Sequence, residues 1–526
     1  MANTIYVNVN GTWKQANAYY VNVNGTWKTG SEFQVKVSSS WKGGTAAAVG
    51  LPTLTEVLGL DFVDFTLPSI GAIDSNSSVS SLGLDFVDFT LPFFGKANPS
   101  TGLPVTTNLV LYLDASITDS YSGSGTTWSD LSSNSNDGTL TNGAVFDSGN
   151  NGSIVFDGTN DRVSFSSDMF NPNANFTVSA WVNTDITDGT HTVISDVDET
   201  GSFQLRYESS GWQIVDNHVV AVGTFSNSTI LKGFWYNVTV TRSGNTYTLY
   251  LNGSSISSFT SSNTYDGGAQ DIGVNYNNLE RWDGKIAQLL AYSSVLSSSD
   301  VLSNYNALKS KYTLPDIITT NLVFYFDVNN NACFSSGSTV KDLTSNDNNG
   351  TLTNGASVSS HGTGSAIVFD GSDDYVQLGS DMFNPNSNFT ITLWVNLDAT
   401  TGTYTMVSDS ASLGSFQLRY NSGVQIVDSY VVDVGTFSSS TLSAATWYEL
   451  TVTRSSNTYT LYINGSSNSS YTNTNVYDRG AQSIGTNYNN TENFDGKIAQ
   501  VFAYDAALSA ANIASNYNSK KSRYGH

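Results

Sequence analysis

One cysteine, Cys333, serves all 526 residues, so no disulfide can form within the chain. Histidine is scarce as well: there are four, His191, His218, His361 and His526. Neither a Gly-x-Ser-x-Gly elbow nor a His-Glu-x-x-His pair occurs, so triad and zinc-hydrolase chemistry lack their parts. Basic residues number 21 against 44 acidic ones, and the net charge of −23 repels phosphate backbones and anionic lipid. No nucleic-acid partner is expected. No apolar run approaches the ~18 residues of a membrane span, so no membrane insertion is expected. The opening MANTIYVNVNG lacks the basic and apolar parts of a secretory signal. With only 12% charged residues and polar positions dominated by Ser, Thr, Asn and Gly, the composition is that of an adhesin. Without an export signal it suits assembly inside a cell and release by lysis. Aromatics reach 12%, too many for a disordered chain.

What is present in abundance is repetition. Residues 106–312 are written again at 319–524. VFDGTNDRVSFSSDMFNPNANFTVSAW (155–181) returns as VFDGSDDYVQLGSDMFNPNSNFTITLW (368–394), with 17 of 27 positions identical. One residue is lost where Glu208-Ser209-Ser210-Gly211-Trp212 becomes Asn421-Ser422-Gly423-Val424, which reads as a trimmed turn between strands. A unit copied whole is expected to fold by itself, and two in tandem suggest multivalency. Cys333 stands where the first copy has Ser120, so it is no shared thiol.

Two smaller repeats precede the copies. VNVNGTWK at 7–14 and 21–28, and VKVSSSWK at 35–42, place Trp13, Trp27 and Trp41 in register at a period of 14. Alternating valines followed by Asn10-Gly11 predict a two-residue hairpin, each with a valine/tryptophan face. A lone hairpin is marginal in water, so residues 1–45 are expected to anchor or oligomerise the chain. GLDFVDFTLP at 59–68 and 83–92 brings Phe62, Phe65, Phe86 and Phe89. Residues 46–105 read as an apolar stalk whose strands find partners on other chains.

Inside each copy the runs are short, alternating and rich in Val, Ile, Thr, Tyr and Phe. In the first they fall at 108–114, 153–156, 176–182, 202–207, 235–242, 246–251 and 284–292. Punctuated by Gly, Asn, Asp and Ser, they predict an antiparallel sandwich, an all-β fold. One helix per copy is expected, after Ser297 and after Ser509. Over 298–310 it carries Val301, Leu302, Tyr305 and Leu308.

TTNLVLYLDAS, WSDLSSNSNDGTLTNGA, VFDGTNDRV, FTVSAWV, NTYTLYLNG and DGKIAQLLAYSSVLSSSDVLSNY in the first copy, with their counterparts in the second, resemble the concanavalin A-like jelly roll of the laminin-G-like superfamily. The resemblance implies two tandem jelly rolls, 106–312 and 319–524. It leaves the ligand open, because sugar-binding lectins, calcium-dependent adhesion modules, glucan hydrolases and spacers share this sandwich. The YVNVNGTWK hairpins resemble repeats at the start of tailed-bacteriophage virion and tail-fibre proteins.

Each candidate chemistry has a plain structural alternative. Glycoside hydrolysis needs two carboxylates roughly 5–9.5 Å apart. The hydrolase branch of the family presents Glu-x-Asp-x-x-Glu, which is absent. Of the seven glutamates only Glu280 and Glu492 match between copies. The expectation is that the chain is not an enzyme. Calcium is the candidate cation, with Asp130, Asp157 and Asp161 answered by Asp342, Asp370 and Asp374. The same residues suit side chains that bond their own turns. The family's frequent Ile-Asp-Glu is Ile286-Ala287-Gln288 here, one carboxylate fewer. For carbohydrate, alternation puts Phe203, Leu205 and Tyr207 on one face and Gln204 and Arg206 on the other. The candidate patch is Gln204, Arg206, Gln213 and Asp216, answered by Gln417, Arg419, Gln425 and Asp428. Tyr276 or Tyr488, in a loop both copies carry, would add a ring; the alternative is a surface Arg–Asp pair with turn residues.

The functional expectation is a bacteriophage virion appendage, a fibre or surface decoration, that presents two lectin-like jelly rolls to a cell-surface glycan. Other virion proteins would hold its N-terminal region. A homotrimer at the virion surface is expected by analogy with phage fibres. A purely structural capsid or tail component, and a glycan depolymerase, are the alternatives.

Overall fold

A computed structural model describes residues 104–526, except 198–200, 217–219, 363, 410–413 and 429–431, together with six strands between residues 6 and 45. The chain divides into two compact units, Met1–Phe89 and Thr90–His526.

In the first unit the six strands pair as three antiparallel hairpins. Val9 pairs with Thr12, Val23 with Thr26, and Val37 with Ser40, while the residues that connect each pair lie outside the described residues. The expected valine/tryptophan face concerns side chains outside the described residues. Trp13 pairs with Asn8, Trp27 with Asn22 and Trp41 with Lys36, while the valines pair with Thr12 and Lys14 and their equivalents. Phe62, Phe65, Phe86 and Phe89 lie outside the described residues.

The second unit holds two sandwiches of two eight-stranded antiparallel sheets each, as the sequence expects. In the first sandwich one sheet runs Val145–Asp147, Ser153–Asp157, Asp283–Tyr292, Phe176–Thr184, Trp235–Ser243, Thr246–Leu251, Ser254–Thr260, with Leu109–Asp114 sharing the edge of Asp283–Tyr292. The facing sheet runs Val220–Thr224, Gly211–Asp216, Phe203–Glu208, Thr190–Asp196, Gln270–Ile272, Arg162–Ser164, Gly138–Thr141, Thr127–Trp128. The second sandwich repeats both orders.

Strand Phe176–Thr184 shows how the sequence sorts itself. Phe176, Val178, Ala180 and Val182 face the core between the sheets, while Trp181 points the other way into a cluster with Trp235, Ala287 and Leu308. The helix Ser298–Leu308 covers that cluster, and Tyr305 stacks on Trp181 at 5.7 Å between ring centroids. Ser297 starts the helix, accepting from the Asp300 N–H at 3.2 Å. Ala510–Lys520, capped by Ser509, is its counterpart. Asn252 and Gly253, at φ 50° and 77°, take the two left-handed positions of a type I′ turn. The lost residue sits in a hairpin turn as read, since Glu208 pairs with Gly211 whereas Tyr420 pairs with Val424.

The two sandwiches pack against each other. Lys232 is buried, donates its backbone N–H to Leu343 O at 2.9 Å and pairs its amine with Asp347 at 2.7 Å. Phe234 stacks on Tyr325 at 6.1 Å. Between them Gly233, at φ +70°, approaches so closely that a Cβ would lie 2.6 Å from Ala332 Cβ and Asn330 Oδ1.

Candidate functional site

The chemistry-bearing row lies on the outer face of the second-named sheet. Alternation along Phe203–Glu208 sends Phe203, Leu205 and Tyr207 fully into the core, and turns Gln204 and Arg206 outward as expected. Register places Gln213 beside Arg206, and Thr192 beside Arg206 on the other side. Asp216 is not in this row. It pairs with Phe203 at the core-facing parity, because residues 213 and 216 are three apart on one strand. Asp428, paired with Phe416, is displaced from Gln425 and Arg419 for the same reason. Both aspartates leave the candidate patch.

Glu280 completes the row. The loop 273–280 folds over the outer face, held by Asn275 Oδ1, which accepts from the N–H groups of Leu279 at 2.9 Å and Glu280 at 3.1 Å. The Glu280 carboxylate accepts from Arg206 Nη1 at 2.7 Å and from the Gln204 amide. Arg206 Nε donates to Gln213 Oε1 at 2.9 Å, and Gln213 Nε2 donates to Glu208 at 2.5 Å. The second sandwich rebuilds the network: Arg419 donates to Glu492 at 2.9 Å and to Gln425 at 3.0 Å, and Gln417 donates to Glu492. Asn487 holds Glu492 by its N–H at 3.2 Å. Glu208 has no counterpart there, since Asn421 opens the shortened turn.

Burial and charge fit a recognition surface. The Arg206 and Glu280 side chains are 17% and 25% exposed, and Arg419 and Glu492 are 19% and 24% exposed. The guanidiniums are therefore fixed in place yet reachable. Arg206 Nη2 has no partner among the described residues, which leaves a planar donor directed at whatever lies on the sheet. Tyr276 and Tyr488 are half-buried in the covering loops. Sequence reasoning noticed Glu280 and Glu492 as the matching glutamate pair but left them out of the patch. Their signal was there: an outward arginine on a central strand requires an anion, and each copy offers only one matching glutamate.

The calcium candidates separate. Asp130 is corrected: its carboxylate accepts from the N–H groups of Tyr112, Ser132 and Asn136 and from the Ser132 hydroxyl, at 2.7–2.9 Å. Asp342 does the same with Tyr325, Thr344, Asn348 and the Thr344 hydroxyl, at 2.8–3.1 Å. These carboxylates organise a turn, and donors occupy the lone pairs a cation needs. Asp342→Ala is expected to cost about 2–4 kcal/mol in urea unfolding, equally with and without a chelator. The Asp161 carboxylate accepts from the Asp157 N–H, and that of Asp374 from the Asp370 N–H, each at 3.0 Å. Burial pushes Asp161 and Asp374 above the usual carboxylate range. Among the described residues three carboxylates converge only in the second copy, at Asp370, Asp373 and Asp374; the first copy has Asn160 in place of Asp373.

The model of the concanavalin A-like lectin/glucanases superfamily matches residues 157–302 and again 370–514. No curated protein matches the chain. Among solved structures it is similar to domain 4 of AbnA, a GH43 extracellular arabinanase from Geobacillus stearothermophilus in complex with arabinotriose. That likeness is at 20% identity and a TM-score of 0.32, over 38% of this chain and 98% of that one. It is also similar to Trypanosoma rangeli sialidase in complex with sialic acid, at 12% identity and a TM-score of 0.33, over 74% of this chain. The chain spans 63% of the sialidase's length, under two thirds. The expectation that the chain is not an enzyme is overturned: the superfamily whose model matches both copies unites glucanases with lectins, and the solved structures similar in fold are named an arabinanase and a sialidase. At these identities the likeness is one of fold. The chain belongs to the concanavalin A-like lectin/glucanases superfamily, with two tandem laminin-G-like jelly rolls.

Proposed function

We propose that the chain is a glycan-binding protein whose two jelly rolls each hold sugar on the outer face of one sheet. The observation that carries this reading is the network built twice: Gln204, Arg206, Gln213 and Glu280 recur as Gln417, Arg419, Gln425 and Glu492 with the same donors and acceptors. Paired amides, a guanidinium and a carboxylate offer both donors and acceptors to hydroxyl groups, and the loop that supplies the carboxylate also carries a half-buried tyrosine. Two copies on one chain raise avidity for a polymeric surface without any new contact.

The test is a glycan array probed with the full chain, followed by titration calorimetry on the best ligand. Arg206→Ala with Arg419→Ala is expected to weaken binding at least about tenfold, roughly 1.4 kcal/mol, with the circular-dichroism spectrum unchanged. Undiminished binding by that double variant sinks the reading.

The finer placement is a virion appendage. The VNVNGTWK repeats support it, since they resemble repeats that open tailed-bacteriophage virion proteins, and so does the pairing of the six strands into three antiparallel pairs in the first unit. In this reading residues 1–45 anchor the chain to other virion proteins, residues 46–105 form a stalk, and the protein works as a homotrimer at the particle surface. Sedimentation of the full chain checks the trimer.

A further inference from the structure

The junction of the two sandwiches is a cleft of about 290 Å³, lined from one side by Asn183, Asp185 and Lys285 and from the other by Asp316, Asn330 and Asn331, with Phe234 and Trp235 at its base. Its size sits at the lower edge of the ~300–1,000 Å³ range of small-molecule sites, so its occupant is small.

The copies differ here in residues that line the cleft. Where the first copy has Ser116-Ile117-Thr118, the second has Asn329-Asn330-Asn331. Lys520 is 2% exposed, and it stands where the first copy buries Leu308. Replacing a buried leucine by an ammonium is unfavourable unless the charge is paired. Here the Tyr325 hydroxyl lies 3.1 Å away, Asp316 pairs with the amine, and Asp327 adds a carboxylate at 3.6 Å. Arg523 closes the set on Asp327 at 2.9 Å. The pairing holds Asp327 below the usual carboxylate range despite burial that pushes it up.

Two features identify the chemistry of the occupant. The cleft lining carries three cations, Lys285, Lys520 and Arg523, against three carboxylates, Asp185, Asp316 and Asp327, so its charge balances. A net anion or cation gains little there. The side-chain amides of Asn183 and Asn331 make no hydrogen bond among the described residues, although Asn183 is only 8% exposed. Unused amides offer paired donor and acceptor positions, which suit hydroxyl groups.

We propose that this junction is a second kind of binding site, one per chain, for a neutral polyhydroxylated ligand of one or two sugar rings. It is separate from the outer-face networks and does not depend on them. Both sandwiches line it, so its occupant stabilises their docking by mass action.

The experiment is titration calorimetry and thermal unfolding of the full chain with lactose, maltose and cellobiose, in the wild type, in a Glu280→Gln/Glu492→Gln variant and in Asn331→Trp. Asn331 is exposed, so its tryptophan occludes the cleft mouth without entering the core. At least one disaccharide is expected to bind the wild type and the glutamate variant alike and to raise their Tm. Asn331→Trp is expected to weaken that binding at least about tenfold. Asn331→Ala, which only removes the amide, is expected to weaken it less but measurably. No binding of any of the three to the glutamate variant overturns the proposal. So does binding that ignores both Asn331 variants. Loss in the glutamate variant alone refutes the junction site and leaves the outer-face reading standing; loss in the Asn331 variants alone establishes the junction site and leaves the outer-face reading to its own test.

Discussion

Glu449→Asn is expected to raise the stability of the second sandwich by about 3 kcal/mol more at pH 7 than at pH 4.5. Glu449 is fully buried, paired in register with Trp394 under the C-terminal helix. Burial pushes its carboxyl up to about 8 from an ordinary 4.5, and the Gly465 N–H opposes that only weakly. The folded protein therefore keeps a proton that the unfolded chain releases above pH 4.5. Stability falls as pH rises from 4.5 to about 8, by about 1.4 kcal/mol per unit, and then levels off. The first copy avoids this cost. It has Asn237 at the same place, donating to Ser179 Oγ at 3.2 Å and accepting from Thr239 Oγ1 at 3.2 Å. The second copy already holds the matching hydroxyls, Thr392 and Thr451, 2.8 Å apart, so an asparagine at 449 finds its partners waiting. Calorimetric Tm against pH is the measurement. A wild-type Tm that does not fall between pH 5 and 8 relative to the variant refutes the prediction.

Glu449 also marks the edge of what the sequence can convey. Alternation made the strands legible: Phe203, Leu205 and Tyr207 are all fully buried, and Arg206 faces out. Turn chemistry fixed the hairpins, since Asn252-Gly253 can close only a tight one. Period two also separates Asp216 from Gln213, three residues along one strand. Glu280 was not legible in that way. It reaches Arg206 from a loop 74 residues away, and no local pattern announces which loop crosses a sheet. Asp130 was ambiguous for a different reason, because turn-bonding and metal-binding aspartates share one composition and differ only in where N–H groups point. The packing of one copy on the other was least visible of all, because duplication argues for independence while saying nothing about docking.

That docking supplies the second large effect. Replacing Lys232, Gly233 and Phe234 with Ala, Ala and Thr is expected to turn one calorimetric unfolding transition into two. The replacements are those the second copy itself carries, Ala444, Ala445 and Thr446. Ala445 holds φ 54° in its own turn, so the turn tolerates alanine and the cost must come from the neighbour. In the first copy that neighbour is close: a Cβ on Gly233 meets Ala332 and Asn330 at 2.6 Å. Losing Phe234 from its stack on Tyr325 removes about 1.5–3 kcal/mol of apolar burial. Losing Lys232 removes a buried amine whose partner, Asp347, can return to water, so that part costs little. Forcing a Cβ into the Gly233 contact adds about 1–3 kcal/mol, so the sum, about 2.5–6 kcal/mol, falls almost entirely on the junction, because the same three residues leave the fold of the second sandwich intact. Two transitions in the variant, with each sandwich retaining its strand content by circular dichroism, establish that the copies are coupled through this contact. A single transition in both proteins, or two in the wild type, refutes it. The divergence of the copies then has a direction: the first copy carries a docking tip, and the second carries the polar seat that receives it.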